Sequence, residues 1–206
     1  MGYFYVVCEW IMRLAYVNLL WIVFSLAGFI VLGVSPASVS LFTIVRKWLM
    51  KETDLPIFQT FIQTYKKEFI KANKLGLIML VMGLFLYTDF QLLNSVGGTI
   101  HYILSVPLLI ITFLYCITLL YILPVYVQYE QKPFQYIKNS FYIGVINMHI
   151  TIFLIAAFLV LSFILKAVPG LIPFFVVSFV SLITMGGALI SFRRIESKQK
   201  KFNLQN

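Results

Sequence analysis

Five long runs of apolar residues set the main constraint on how this chain folds. They cover about residues 14–34, 75–93, 100–127, 141–165 and 171–192. Each run is close to or above the roughly 20 residues that a helix needs to cross about 30 Å of hydrocarbon. The chain is 61% hydrophobic and 11% charged, and a water-soluble fold of 206 residues has too little interior for that apolar content. We expect an all-α integral membrane protein with five transmembrane helices in a single membrane domain, because helices satisfy their own backbone hydrogen bonds in lipid.

The basic residues predict an orientation for these spans. Fourteen of the sixteen Lys and Arg residues lie in segments 36–74, 128–140 and 193–206, and only Arg13 and Lys166 lie elsewhere. Basic residues collect on the cytoplasmic side of a membrane protein. The pattern therefore predicts a multi-pass protein with its N-terminus outside, its C-terminus inside, a cytoplasmic helical insert over the first segment and a basic C-terminal tail.

Two amphipathic helices are predicted within the insert. Ser35 suits a helix N-cap and Pro36 the first helical position, so the first of these helices is expected to run from about Pro36 to Met50. The segment KETDLP breaks the chain, and Pro56 suits the start of the second helix. That helix has no stop signal before the second span.

The stretch FIQTYKKEFIKANKLG, residues 61–76, has two unlike faces. Its apolar side chains fall within an arc of about 100° on a helix, and most of its lysines lie on the opposite side. Anionic lipid attracts each such lysine by roughly 1 kcal/mol, and a short basic face beside a membrane does not favour nucleic acid. The residues predicted to dock a partner or anionic lipid headgroups are Phe61, Tyr65, Lys67, Phe69, Lys71 and Lys74.

Few polar side chains lie inside the predicted spans. Asn18, Asn147 and His149 are the predicted intramembrane polar contacts, with His149 about two turns into the fourth span. Ionisable groups at membrane depth indicate function by default, although a neutral histidine bonded to a neighbouring helix is the simpler interpretation. Glu9 and Arg13 are spaced for a helical ion pair at the outer surface, and substrate binding by Arg13 is the alternative.

Motifs for catalysis, nucleotide binding and metal binding are absent from the sequence. No carboxylate pair lies within a span, and none of the patterns GxxxxGK[ST], HExxH and GxSxG occurs. Cys8 and Cys116 have no CxxC spacing and are expected to be unpaired, buried thiols. We therefore expect a protein that is not an enzyme and has no cofactor, no metal site and no catalytic residues.

Three successive stretches resemble the YesL-like membrane proteins of Gram-positive bacteria. They are RLAYVNLLWIVFSL (13–26), PASVSLFTIVRKWL (36–49) and FIQTYKKEFIKANKLGL (61–77). The resemblance implies genomic proximity to carbohydrate ABC importers, two-component regulators and glycan-degrading enzymes, with no established catalytic residues. The expected function is an accessory or regulatory subunit that binds the permease subunits of an oligosaccharide ABC importer.

Two other functions stay open. A stand-alone transporter or channel predicts a polar cavity around Asn18, Asn147 and His149. A signalling partner of a two-component sugar-sensing system predicts normal sugar uptake but lost induction after deletion.

Overall fold

The structure is a computed structural model that describes residues 3–95 and 99–203. Within these residues all regular secondary structure is helical, and five helices (α1, α3, α4, α6 and α7) are long and apolar enough to cross a membrane. These findings confirm the predicted all-α class and the number of candidate spans. The helices are α1 Tyr3–Ala27, α2 Val34–Leu49, α3 Ile57–Ser95, α4 Thr99–Gln128, α5 Pro133–Ile146, α6 Met148–Ala167 and α7 Ile172–Asn203, with a short 3-10 helix, Pro169–Leu171, before α7.

Helix α2 lies at the centre of the molecule. Its bounds confirm the helix predicted from Pro36 to Met50 to within two residues. Nine of its sixteen residues are buried, which is too many for a helix that only lies on a membrane surface. Val39 joins a core made mainly by α3 to α7, whereas Leu41 and Ile44 join a second core with α1, α3 and α7. Helix α2 therefore connects the two hydrophobic cores.

Helix α3 runs for 39 residues without interruption. At 1.5 Å per residue it is about 58 Å long, so it carries both the lysine-rich stretch and the second apolar run. The prediction of no stop between them is confirmed. Helices α2 and α3 approach closely at Gly76, where an added Cβ would lie 2.2 Å from Ser35 Oγ. A glycine is needed there because the side chain of Ser35 occupies the space.

The fourth predicted span is divided. Helix α5 ends at Ile146, α6 begins at Met148, and Asn147 between them has φ −106° and ψ 45°. The Asn147 amide donates to the carbonyl of Ile143 at 3.0 Å, so the side chain satisfies a carbonyl at the end of α5. The single helix predicted over 141–165 is therefore wrong, and the apolar segment of spanning length is α6 alone. The hydropathy of the sequence does not reveal this break between two helices, because the apolar run continues through it.

The first predicted span also has different bounds. Helix α1 begins at Tyr3 and ends at Ala27, and residues 28–33 form a turn instead of the last part of a helix. The backbones of Gly28 and Gly33 touch in this turn, since a Cβ on Gly28 would lie 2.3 Å from the Gly33 Cα. Phe29 and Ile30 have φ of 55° and 62°, in the left-handed region that residues other than glycine seldom adopt.

Helices α1 and α2 pack antiparallel on the two sides of this turn. Trp21 Nε1 donates to Ser38 Oγ at 3.0 Å near the turn. The Trp10 ring packs edge-on against Trp48 at the far end, with 5.5 Å between ring centroids. The two helices therefore form a hairpin whose open end is marked by the two tryptophans.

Arg13 joins the open end of this hairpin to the α2–α3 connection. It pairs with Glu9 at 2.5 Å, as predicted, and its Nη1 donates to the carbonyl of Thr53 at 2.7 Å. The predicted orientation places Arg13 outside and residue 53 in the cytoplasm. That separation conflicts with the contact, because a hydrocarbon core about 30 Å thick cannot lie between two hydrogen-bonded groups.

Candidate functional site

A cleft of about 720 Å³ lies between α3 and the α4–α5 connection. Lys67, Lys71 and Lys74 line one side of it, since residues four and three apart share one face of a helix. Lys132, from the connection, lines the other side. All four side chains are exposed. We call this cavity, with the four lysines and the residues that line it, the basic cleft.

The acidic residues of the basic cleft do not neutralise its lysines. Two glutamates line the cavity, so four lysines leave a net charge of about +2. Glu68 accepts a hydrogen bond from the Tyr126 hydroxyl at 2.7 Å, which holds its carboxylate against the wall formed by α4. Within the described residues, the lysines of the cleft form no salt bridge. Their ammonium groups are therefore available to an anion.

Three glutamines add further hydrogen-bond donors to the cleft. Gln128, Gln131 and Gln135 line the cavity, and each has its side-chain oxygen already engaged. The groups that donate to these oxygens are Arg46 Nε, Asn139 Nδ2 and the Lys132 backbone N–H, at 2.7, 2.7 and 3.3 Å. Because each amide oxygen already accepts a hydrogen bond, the group that each glutamine has left for a ligand is its NH₂, which is a donor.

Two tyrosines of the cleft also remain donors. Burial raises the pKa of Tyr129, and the negative charge of nearby Glu196 raises it further, so this phenol stays neutral. Tyr136 is buried, and its hydroxyl accepts from the backbone N–H of Gln131 at 2.9 Å. That bond uses an oxygen lone pair and leaves the hydroxyl proton free to donate. Donors therefore predominate among the polar groups that line the basic cleft.

The apolar face of the lysine-rich stretch is used inside the protein. Phe61 is fully buried, and its ring centroid lies 5.2 Å from that of Phe24. Tyr65 donates to the carbonyl of Phe24 at 3.1 Å, and the ring of Phe69 lies 5.6 Å from that of Tyr65. Phe61 is therefore closed to a partner because α1 covers it, whereas Tyr65 and Phe69 are only partly buried and their docking role stays a prediction. The lysine face is the one left open.

Asn18 forms a second polar site, which fastens α1 to the start of α7. Its oxygen accepts from the backbone N–H groups of Val177 and Ser178 at 3.1 Å each, and its NH₂ donates to the carbonyl of Pro173 at 2.8 Å. The Ser178 hydroxyl donates to the carbonyl of Leu14 at 2.7 Å. We call this group of bonds the Asn18 clamp. Its geometry supports a role in helix packing.

Asn147 and His149 lie in a different place. They line a pocket at the α5–α6 break together with Arg193 and Arg194, and Nη1 of Arg194 is in hydrogen-bonding contact with Nε2 of His149. His149 is exposed in the first turn of α6, not two turns inside a span, because the break at Asn147 moves the start of that helix. Asn18 instead bonds to the start of α7, so the predicted three-residue cavity is not formed.

Neither cysteine is buried. Cys8 and Cys116 are free, as predicted, but both are exposed, so the predicted burial is wrong. Among the residues that the structure describes, no three His, Cys, Asp or Glu side chains are grouped to hold a metal ion.

Sequence reasoning found the lysines of α3 but missed the opposite wall of the basic cleft. That wall comes from the polar segment QYEQKPFQ, residues 128–135, which lies between two apolar runs. Its three glutamines are the available signal. Their approach to α3 depends on how α3 and α4 pack, which periodicity along a single helix does not report.

Comparison with known proteins gives the family. A family model described as "Protein of unknown function, DUF624" matches residues 14–90. The uncharacterized protein YteU of Bacillus subtilis (strain 168) is 38% identical over 174 residues, which are 84% of this chain and 78% of YteU. The chain belongs to the YesL-like family. YesL itself, from the same organism and also uncharacterized, is 35% identical over 94% of this chain and 91% of its own length.

A third relative of this YesL-like protein is the uncharacterized protein YesV of the same organism, 31% identical over 94% of this chain and 93% of its own length. No solved structure matches the chain. The region matched by the family model includes Asn18 and the three α3 lysines of the basic cleft, whereas Lys132 and the three glutamines lie beyond it.

Proposed function

We propose that this YesL-like protein is a non-enzymatic accessory or regulatory subunit associated with a carbohydrate ABC importer in a bacterial plasma membrane. The observation that supports a binding role is the basic cleft, in which charged and polar donors face a cavity with few acceptors. Groups of this kind serve recognition, and the sequence has none of the motifs that would add a reaction. The importer is the expected partner because of the genomic proximity that the family resemblance implies.

The proposed orientation puts the basic cleft and both ends of the chain in the cytoplasm. In this arrangement the α1–α2 hairpin begins and ends on the cytoplasmic side with its turn at the membrane surface, and α3, α4, α6 and α7 cross the membrane. The contact between Arg13 and Thr53 supports this arrangement, which replaces an N-terminus outside. It also places fifteen of the sixteen Lys and Arg residues on the cytoplasmic side, with Lys166 outside.

The turn of the hairpin has a backbone that suits contact with lipid. The N–H groups of residues 28–31, 33 and 34 all donate to backbone carbonyls of residues 24–30. Phe29 at the tip is 87% exposed. Because these N–H groups need no water, the turn can lie against the membrane at a low cost in unsatisfied hydrogen bonds.

Protease protection tests the orientation. An N-terminal epitope tag should resist protease added to intact spheroplasts and be cleaved after permeabilisation. If the N-terminal tag is cleaved in intact spheroplasts while a C-terminal tag stays protected, the N-terminus lies outside, as the basic residues predict.

Affinity purification of a tagged copy at its native expression level, after mild crosslinking, tests the function. We expect an importer permease or its ATPase among the recovered proteins. Reversing the charge at Lys67 and Lys71 should reduce that recovery, whereas the same change at Lys66, exposed on the same helix outside the cleft, is the matched control. Recovery of the protein alone, with its fold intact, would reject the importer association.

Two further experiments test the two other functions. A stand-alone transporter predicts substrate uptake into liposomes that contain only the purified chain. A partner of a sugar-sensing kinase predicts normal sugar uptake after deletion but lost induction. The separation of Asn18 from His149 counts against a transporter, which predicts a mid-membrane cavity around both residues.

A further inference from the structure

The donors of the basic cleft outnumber what a single carboxylate can accept. Four lysine ammonium groups and three glutamine amides face the cavity, together with the phenols of Tyr129 and Tyr136. A carboxylate offers two oxygens, whereas the headgroup of phosphatidylglycerol offers the two charged oxygens of its phosphodiester together with ester and glycerol hydroxyl oxygens. The lining therefore fits a phosphoryl anion.

The basic cleft also lies where the chain changes from polar to apolar. Lys74 and Leu75 are neighbours in α3, and both line the cleft. From there α3 continues as the second apolar run, and its side chains Leu77, Leu80 and Val81 are at least half exposed. In a membrane protein such a transition marks the level of the lipid headgroups.

Helix α5 separates the basic cleft from an apolar groove of about 910 Å³. Pro133 and Gln135 line the cleft, and Phe134 between them lines the groove and is 77% exposed. Phe85 and Ile111 line the groove farther along α3 and α4. A polar cavity and an apolar groove on the two sides of one short helix match the two halves of a phospholipid.

We infer that the basic cleft binds the phosphoryl group of an anionic phospholipid, with an acyl chain of that lipid lying in the groove across α5. This inference does not depend on the importer association proposed above. The lysines supply the charge, the glutamine amides and phenols supply directed hydrogen bonds, and Glu68 stays on Tyr126 and out of the ligand's path.

Lipid titration of the purified full chain in neutral detergent tests the inference. Phosphatidylglycerol binding, followed by native mass spectrometry, should weaken about fivefold when Lys67 is changed to Gln, because each lysine near an anionic headgroup is worth roughly 1 kcal/mol. The triple variant K67Q/K71Q/K74Q should bind about a hundredfold more weakly if the three contributions add. K66Q should bind as the wild type does, since Lys66 does not line the cleft.

Two further ligands distinguish the source of the phosphoryl group. Phosphatidylcholine should bind the wild type more weakly than phosphatidylglycerol, and inorganic phosphate at the same concentration should not displace the lipid. Displacement by inorganic phosphate would indicate a free-phosphate site. Equal binding of both lipids, or equal losses in K67Q and K66Q, would overturn the inference. A folded wild type that binds no phosphatidylglycerol would overturn it too.

Discussion

Asn18 and Lys71 both carry polar groups in a predominantly apolar chain, but their surroundings differ. Asn18 is 1% exposed, and backbone groups of α7 engage both its oxygen and its NH₂. Lys71 is exposed in a cavity whose polar groups are mainly other donors. A polar group whose partners belong to the same chain holds the fold together, whereas clustered donors that outnumber their acceptors suit a ligand from outside. The comparison separates a structural site from a binding site without any knowledge of the ligand.

The largest expected effect is the loss of the Asn18 clamp. Asn18→Leu keeps a similar volume but leaves the N–H groups of Val177 and Ser178 without the oxygen that they now share. Each buried group left unsatisfied costs about 1–3 kcal/mol, so the free energy of unfolding should fall by roughly 3–5 kcal/mol. Denaturant titration in detergent measures it. Asn73→Leu is the control, since half-buried Asn73 also bonds to backbone carbonyls but should lose roughly 1 kcal/mol.

A smaller loss is expected at Gly144, which lies behind the α5 wall of the basic cleft. A Cβ there would lie 2.3 Å from Ile117 Cγ2 and 3.1 Å from the Tyr121 ring. Gly144→Ala should therefore lower the free energy of unfolding by about 1–3 kcal/mol, as overpacking does. Gly186→Ala, where a new Cβ meets nothing within 4 Å, should be neutral or stabilising by up to about 1 kcal/mol. Equal effects in the two variants would show that the wall is not tightly packed.

Glu68→Gln is expected to increase the affinity of the basic cleft for phosphatidylglycerol. Glu68→Gln removes a negative charge from the basic cleft and keeps an oxygen that can accept from Tyr126. Phosphatidylglycerol should bind about fivefold more tightly, the reverse of removing one lysine. Glu52→Gln, an exposed residue outside the cleft, controls for overall charge and should leave binding unchanged. If Glu52→Gln gives the same increase, the local charge of the cleft is not the cause.

The smallest effect concerns salt at the Asn18 clamp. Raising the salt from about 0.1 to 1 M shortens the Debye length from about 10 to 3 Å. Lipid binding at the lysines should weaken, because exposed charges are screened. The difference in unfolding free energy between wild type and Asn18→Leu should change by less than about 0.5 kcal/mol, because neutral hydrogen bonds are not screened. A clamp that weakens with salt would contradict this distinction between the two sites.

The sequence predicted those features that depend on neighbours along the chain. Helical periodicity placed Lys67, Lys71 and Lys74 on one face, and the lack of a stop signal predicted the continuous helix α3. The Glu9–Arg13 pair followed from the spacing of four residues. Each of these rests on the geometry of a single helix.

Features that depend on tertiary packing were not predicted. Helix α2 is central because residues on more than one of its faces are buried, including Val39 and Leu41 in different cores. The break at Asn147 and the turn at 28–33 fall inside apolar runs, where hydropathy stays high although the backbone changes direction. The contact of Arg13 with Thr53 joins residues 40 apart, and it conflicts with the orientation predicted from the basic residues.

The uninterrupted length of α3 makes it a mechanical lever. Its residues Ile57–Ser95 contain no proline, so nothing in the backbone provides a hinge between the lysine-bearing half and the apolar half. On a rod about 58 Å long, a tilt of about 10° displaces one end relative to the other by about 10 Å. A change in bilayer thickness or tension that rotates the apolar half would therefore open or narrow the basic cleft in proportion.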